Sequence, residues 1–326
     1  MDRLPGFLEN LPVATINYRW LQSEHQPDGS QEKSHSRLWP TPIHDAATAF
    51  SWLSENFTPE KNGRRSVYAY GSFLGASLAT SLALTESHAH CGFSIRGLIA
   101  LNGIYNWTMF LPDHPINRKL ASIQHDEGTH LHDINELLPR LFDGPNDMFD
   151  PFASPSLFFH NPGLLVPREL GHSAIEEADQ ISAFIEAHGG TVETPPPTEE
   201  LKQPRKSHLI FPPRKSTLKL PQTLLLHNAP QVKTSKRRTT RKTTKTPKKY
   251  SGNSFAAQAA ELAELMRRSV DVVELKERSK WDEDMDGRED EAERRVQVLD
   301  IGPETKGLGV GDSAQAAIDA WLQNKT

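Results

Sequence analysis

The stretch 67-VYAYGSFLGASLATSLALTE-86 decides the fold. Val67 to Tyr70 alternates as a short strand, Gly71 to Gly75 turns, and Ala76 to Glu86 is made of strong helix formers. Small residues at Gly75, Ala76, Ser77 and Ala79 let that helix pack closely on the strand before it. Strand, tight glycine turn and helix, in that order, are the setting of a nucleophile elbow, G-x-S-x-G, whose strained turn aims one side chain at a substrate. Gly71 and Gly75 hold the two glycine positions. The middle position is Phe73, which cannot be a nucleophile. Ser72 stands one residue early and is expected to face another way.

Outward from this stretch, Leu11 to Trp20 (LPVATINYRW) reads as a buried strand that starts at Pro12. Gln22 to Ser36 is polar and reads as loop. Ala46, Ala49, Phe50 and Leu53 recur at helical spacing from Asp45 to Asn56, with Asp45 read as the N-terminal cap. Ile95 to Asn102 (IRGLIALN) is a second buried strand, and Leu220 to His227 a third. Strands alternating with helices argue a parallel, doubly wound sheet. Function in such sheets gathers at the carboxyl ends of the strands, here Asn17-Tyr18, Gly71 to Gly75, Asn102-Gly103 and His227-Asn228.

The remaining chain divides by composition. One domain is expected over 1–326, with a front half (1–106), an insertion (107–188), a proline-rich linker (189–220) and a back half (221–326) carrying a basic loop at 232–250. Within the insertion, Trp107 to Leu141 is rich in His, Pro and acidic residues, with a helical patch at Ile134 to Phe142. Pro151 to Pro167 is an apolar strap, and Ala174 to His188 is patterned as an amphipathic helix. Gly189 to Pro221 reads as disordered or extended. Asn253 or Ser254 caps a helix over Phe255 to Arg268 with a core face of Leu262, Leu265 and Met266. Val270 to Leu275 reads as a strand, Arg295 to Ile301 as another, and a last helix starts at an Asp312 or Ser313 cap and ends near Gln323.

Three segments together resemble the α/β-hydrolase fold: Tyr68 to Glu86, Asn17-Tyr18-Arg19 with Pro42-x-x-Asp45, and Leu224 to His227. In texture the chain is similar to a fungal, esterase-like and mostly uncharacterised branch of that superfamily. The resemblance covers roughly three quarters of the chain. It implies an α/β fold, a doubly wound and mostly parallel sheet of α/β-hydrolase type, with a helical lid insertion at Trp107 to Leu141 and disordered loops. It implies a pocket beneath that lid, walled by Phe73, Tyr18, Tyr105 and His227. A hydrolase of this kind needs a serine at the turn apex, an acid after a later strand and a histidine after the last strand. Asn228-Ala229-Pro230 offers no carboxylate after Leu224 to His227. No histidine occurs from Asn228 to Thr326. One oxyanion donor would be the Leu74 backbone N–H, but few residues precede the Tyr18 strand, so the loop giving the second donor is not expected. Three defects agree on a degenerate triad.

Composition excludes further classes. The chain has 326 residues, 36% hydrophobic, and a net charge of -5. Its mean hydropathy is -0.57, so part of it is expected to be solvated loop. Cys91 is the single cysteine, so an intrachain disulfide is impossible and a reducing, cytoplasmic setting is expected. Met1 to Trp20 lacks the basic start and apolar core of about 7–15 residues that mark a secretory signal. No run nears the roughly 18 apolar residues of a membrane span. The sequons at Asn56 and Asn106 are expected to be silent.

Other constellations weigh toward plain readings. Asp282, Asp284, Asp286, Gly287 and Glu293 match calcium-loop spacing. However, Glu289 stands where an aliphatic residue is usual, and eight carboxylates crowd Asp282 to Glu293, so a solvated loop is favoured. His88, His90 and Cys91, and His125, His130 and His132 with Asp126 and Asp133, lack metal-ligand spacing and read as surface groups. His44 and Asp45 diverge as neighbours on a helix. Lys233 to Lys249 carries nine Lys or Arg and no acid. Lys236, Arg237, Arg238, Arg241 and Lys242 would suit nuclear import or nucleic acid, though without interleaved aromatics for base stacking. An idle surface loop is favoured there, with weak attraction to the acidic loop as an alternative. The expected function is a catalytically inactive hydrolase-fold protein that binds a small apolar ligand or a protein partner, with no cofactor. The alternatives are a carboxylic-ester hydrolase using Ser72 and a basic-loop adaptor.

Overall fold

Where apolar and β-branched residues run unbroken, the chain forms strands buried on both faces. The computed structural model describes residues 5–9, 11–20, 38–59, 63–117, 130–174, 203–229, 252–275, 290–304 and 307–324. In chain order the elements are α1 (Thr41–Phe57), β1 (Arg65–Ser72), α2 (Leu74–Thr85), β2 (Phe93–Leu101), α3 (His130–Glu136), α4 (Leu138–Leu141), β3 (His160–Asn161), β4 (Ser207–His208), β5 (Gln222–Ala229), α5 (Phe255–Ser269), α6 (Glu291–Arg295), β6 (Val296–Pro303) and α7 (Asp312–Gln323). Four parallel strands make one sheet in the order β1-β2-β5-β6, and β3 pairs antiparallel with β4.

Helices cover both faces of the sheet. Ile95, Leu98, Ala100, Leu225 and Val296 face α2 and α5, where Ala76, Ala83, Leu262 and Met266 are buried with them. On the other face Ile99, Leu101, Leu224 and Leu226 pack against Ala314, Ile318 and Trp321 of α7 and against Phe7. A third cluster lies at the carboxyl end of the sheet and joins Trp20, Trp39, Trp107, Leu141, Phe142 and Met148 to the first turn of α2. Trp20 is at its centre, 5.7 Å from Trp39, 5.9 Å from Trp107 and 6.0 Å from Phe142 between ring centroids. Its indole N–H donates to the Leu141 carbonyl at 3.1 Å.

Several expectations are corrected. Leu11 to Trp20 is not a strand: it runs without regular structure, with Leu11 and Val13 exposed and Trp20 the one buried side chain. Alternation needs a covered face, and here Arg19 and Trp20 anchor the chain elsewhere. Arg19 grips Asp45 with its backbone N–H and Nε at 3.0 Å and its Nη2 at 2.6 Å, and this ion pair lowers the Asp45 pKa. Asp45 is therefore no cap. Helix α1 starts at Thr41 after Pro40, and Asp45 lies within it. Val270 to Leu275 is not a strand but continues α5 as π turns. Burial of Val270 and Leu275 against the helix overrides the β propensity of that run. Helix α7 has no side-chain cap; Asp312 is its first residue, after Gly311. Ser254 does cap α5, accepting from the Ala257 N–H at 3.1 Å. Ile134 to Phe142 divides into the end of α3 and the short α4. The loop at Gln22 to Ser36, most of the amphipathic stretch after Ala174, the basic run Lys233 to Lys249 and Asp282, Asp284 and Asp286 lie outside the described residues; Glu293 lies in α6.

Candidate functional site

Strand β1 ends at Ser72, and the chain reverses into α2 through Phe73 at φ 49° and ψ -117°. That conformation is costly for a bulky side chain, on the order of 1–3 kcal/mol, and persists only where the surroundings enforce it. Both glycines enforce it. A Cβ at Gly71 would lie 2.3 Å from the Gly75 carbonyl oxygen, so strand and helix approach here to a distance only glycine allows. A Cβ at Gly75 would lie 3.3 Å from the Tyr18 hydroxyl. The Phe73 N–H donates to Leu101 O at 2.9 Å, tying the apex to β2. Leu74, half-buried, packs with the aromatic cluster.

The Phe73 ring is held edge-on between two others. His130, opening α3, has its ring centroid 5.4 Å away, and Phe255, opening α5, 5.8 Å away. His130 is positioned through its backbone N–H, which donates to Glu304 Oε1 at 2.9 Å, just past β6. Ser72, the last residue of β1, lies on the same strand face as Tyr70. Tyr70 in turn packs edge-on with Phe7 at 5.2 Å, on the face that α7 covers.

Among the described residues neither His227 nor Tyr105 makes a ring contact with Phe73, whose partners are His130 and Phe255. His227 is 5% exposed, with its Nδ1 buried and unpartnered among the described residues. Alternation along β5 turns it toward the face of Leu225. Burial lowers its pKa, and Asp300, opposite it on β6, pulls the other way. Tyr105 is fully buried in the core between the sheet and α5, and burial raises its pKa. Its ring folds over Gly103, where a Cβ would meet it at 2.4 Å. Tyr18 is half-buried, and burial raises its pKa also. Thus Phe73, Leu74, Gly75 and Tyr18 share the turn, Ser72 shares a strand face with Tyr70, and Tyr105 belongs to the core.

Two polar devices brace this end of the sheet. Asn102, at φ 48°, donates to Asn228 Oδ1 at 2.7 Å and accepts the Asn228 N–H at 2.8 Å. Asn228 also donates to Gly302 O at 3.2 Å, so the ends of β2, β5 and β6 are stitched together. Gln258 of α5 is fully buried with all its capacity used. Its Oε1 accepts the N–H groups of Tyr105 and Asn106 at 3.0 and 2.8 Å. Its Nε2 donates to Asn106 O and Asn253 Oδ1, both at 3.0 Å. Asn106 itself is fully buried, its amide donating to Glu261 Oε2 at 2.7 Å. A sequon asparagine held in this way is closed to glycan attachment in the folded chain.

Sequence reasoning left out His130 as a neighbour of the turn, together with Phe255 and Gln258. Gln258 carried a signal, being polar on the apolar stripe that includes Leu262 and Leu265; His130 carried none. Among the described residues no group of three or more His, Cys, Asp or Glu side chains is placed to hold a metal ion, and no helix is long and apolar enough to cross a membrane. The flanks of the two charged runs lie at opposite ends of the sheet. The basic run follows the carboxyl end of β5 and precedes Phe255, whereas Leu275 and Asp290 flank the acidic run near the amino ends of β5 and β6. Strands of this length separate the two ends by about 25 Å. No protein-family model matches the chain, and no curated protein matches it.

Proposed function

We propose that the chain is an α/β-hydrolase-fold protein without hydrolytic turnover, whose surface around the β1–α2 turn binds a small apolar ligand. One observation carries the reading: a phenylalanine occupies the strained apex where this architecture presents its nucleophile. Its ring, with those of His130 and Phe255, makes that surface aromatic rather than reactive. Ser72 stands one residue before the apex, as the last residue of β1, and no side chain at the apex itself can attack an acyl carbon. What remains is an apolar surface offered by the half-buried Tyr18, Phe73 and Leu74, backed by the buried Phe255 and suited to hydrocarbon contact.

Purified protein assayed with short p-nitrophenyl acyl esters is expected to give no hydrolysis above the blank, and Ser72→Ala the same. Turnover that disappears in Ser72→Ala would replace this reading with an esterase. Binding is followed through the clustered indoles of Trp20, Trp39 and Trp107 while a medium-chain fatty acid is titrated. A saturable change that Phe73→Ala weakens is expected; a flat response sinks the apolar-ligand assignment and leaves a protein partner as the occupant.

A further inference from the structure

Remote from the turn, residues from three elements converge on one carboxylate oxygen. His160 on β3 has a fully buried side chain. Its Nδ1 lies 2.9 Å from the Asn161 carbonyl, so that nitrogen carries the proton and donates. Its Nε2 is then a bare lone pair, 3.7 Å from Glu261 Oε1 of α5 and, among the described residues, without a hydrogen-bond partner. Lys206, just before β4, donates to the same Oε1 at 3.2 Å from a side chain that is 51% exposed. Glu261 Oε2 is taken by Asn106. His208 stands opposite His160 in the β3–β4 register.

We propose that His160, Glu261 and Lys206 form a proton-sensitive clasp that holds residues 203–212 on α5 at neutral pH and loosens them in mild acid. A proton on His160 Nε2 turns a lone pair facing a carboxylate into a charged donor aimed at it. One oxygen then has two cationic suitors. The imidazolium is enclosed and cannot leave, whereas Lys206 already reaches water and can. Once Lys206 lets go, the segment rests on its two-residue β3–β4 pairing, the Leu209 N–H bond to Phe159 O and the Ser269 hydroxyl bond to Phe211 O, and the Leu209 bond opens more often. That pairing sets His208 opposite His160 across the ladder.

Among the described residues the charged and titratable groups facing His160 are Glu261 from α5, Lys206 just before β4, and His208 of β4. Burial is the largest influence on it and, with Lys206 and His208, favours the neutral ring; the Asn161 carbonyl and Glu261 oppose them. The folded-state pKa thus lies below the ordinary value of 6.5. An unfolded or released histidine binds its proton first, so the clasp is intact above that value and is lost as the pH falls through the folded pKa.

Amide hydrogen exchange of the full chain, read on peptides covering 203–212 at about pH 7.5 and about pH 5.5 and corrected for intrinsic exchange, tests this. Protection at Leu209 is expected to fall on the order of tenfold in acid beyond the intrinsic change, the ratio that one pK unit represents. His160→Gln is expected to abolish the pH dependence, and His208→Gln to keep most of it. Lys206→Met, at an exposed site, is expected to show the low protection already at neutral pH. Equal corrected protection at both pH values in the wild type, or neutral-pH protection in Lys206→Met matching the wild type, overturns the clasp. So does acid loosening that persists in His160→Gln.

Discussion

Replacing Gln258 by leucine is expected to lower stability by about 3–5 kcal/mol, although the two side chains are close in size and leucine suits a helix better. The side chain is fully buried on α5 and satisfies two backbone N–H groups and a backbone carbonyl in the loop after β2. Leucine would leave the two N–H groups in the dark without partners, each costing roughly 1–3 kcal/mol, and would take one of two donors from the Asn106 carbonyl, which keeps the Met109 N–H at 3.2 Å; the apolar surface gained offsets part of this. Gln258→Glu separates the roles. A carboxylate keeps the two acceptor bonds and loses both donations, which sets an anion against the Asn106 carbonyl and the Asn253 oxygen. It is expected to be at least as damaging near pH 7 and to recover in acid, as the carboxyl takes up a proton and can donate again. Urea midpoints measured at both pH values would show it. A Gln258→Leu midpoint within experimental error of the wild type would mean that water or a shifted loop meets those groups.

The same residue shows where sequence is informative. Strand β1, the turn, α2, β2, β5, α5 and β6 are all legible because their signals are local: period-2 and period-3.6 patterns, a glycine pair four apart, and Ser254 before an apolar stripe. Gln258 interrupts that stripe, so its burial could be read, but its partners at 105 and 106 could not. The failures arise where a local pattern meets a tertiary choice. Leu11 to Trp20 has the composition of a strand, yet Arg19 and Trp20 fix its path away from the sheet edge, through contacts with Asp45 and Leu141. Val270 to Leu275 has β-branched residues, yet it follows a helix whose buried face continues into it. At the site, Phe73 on the turn was legible from two glycines. His130 came from a polar, acidic stretch, because only the folded chain brings it within ring contact of a residue so distant in sequence.

Gly71→Ala is expected to be the most damaging single methyl added to this chain. Gly71 has no positive φ, so the argument is one of space alone. The added carbon would lie 2.3 Å from Gly75 O, 2.6 Å from its carbonyl carbon and 2.8 Å from Ala76 N, all backbone atoms of the first turn of α2. No rotamer change relieves that, so α2 must lift from β1 and disturb the core it shares with β2 and α5. The cost is expected at or above the ~3 kcal/mol upper end of ordinary overpacking. Gly144→Ala is the control: its backbone is extended and nothing lies within 4 Å of the new carbon, so a change of no more than ~0.5 kcal/mol is expected. Phe73→Gly completes the set. It gives up half-buried ring contacts but releases the strain at φ 49°, two effects of about 1–3 kcal/mol with opposite signs, so it is expected near neutral. Thermal melts of the three variants therefore separate the closeness of the turn from the identity of its apex. If Gly71→Ala melts with Gly144→Ala, strand and helix are not in contact at this turn, and the placement of Phe73 at a strained apex falls with it.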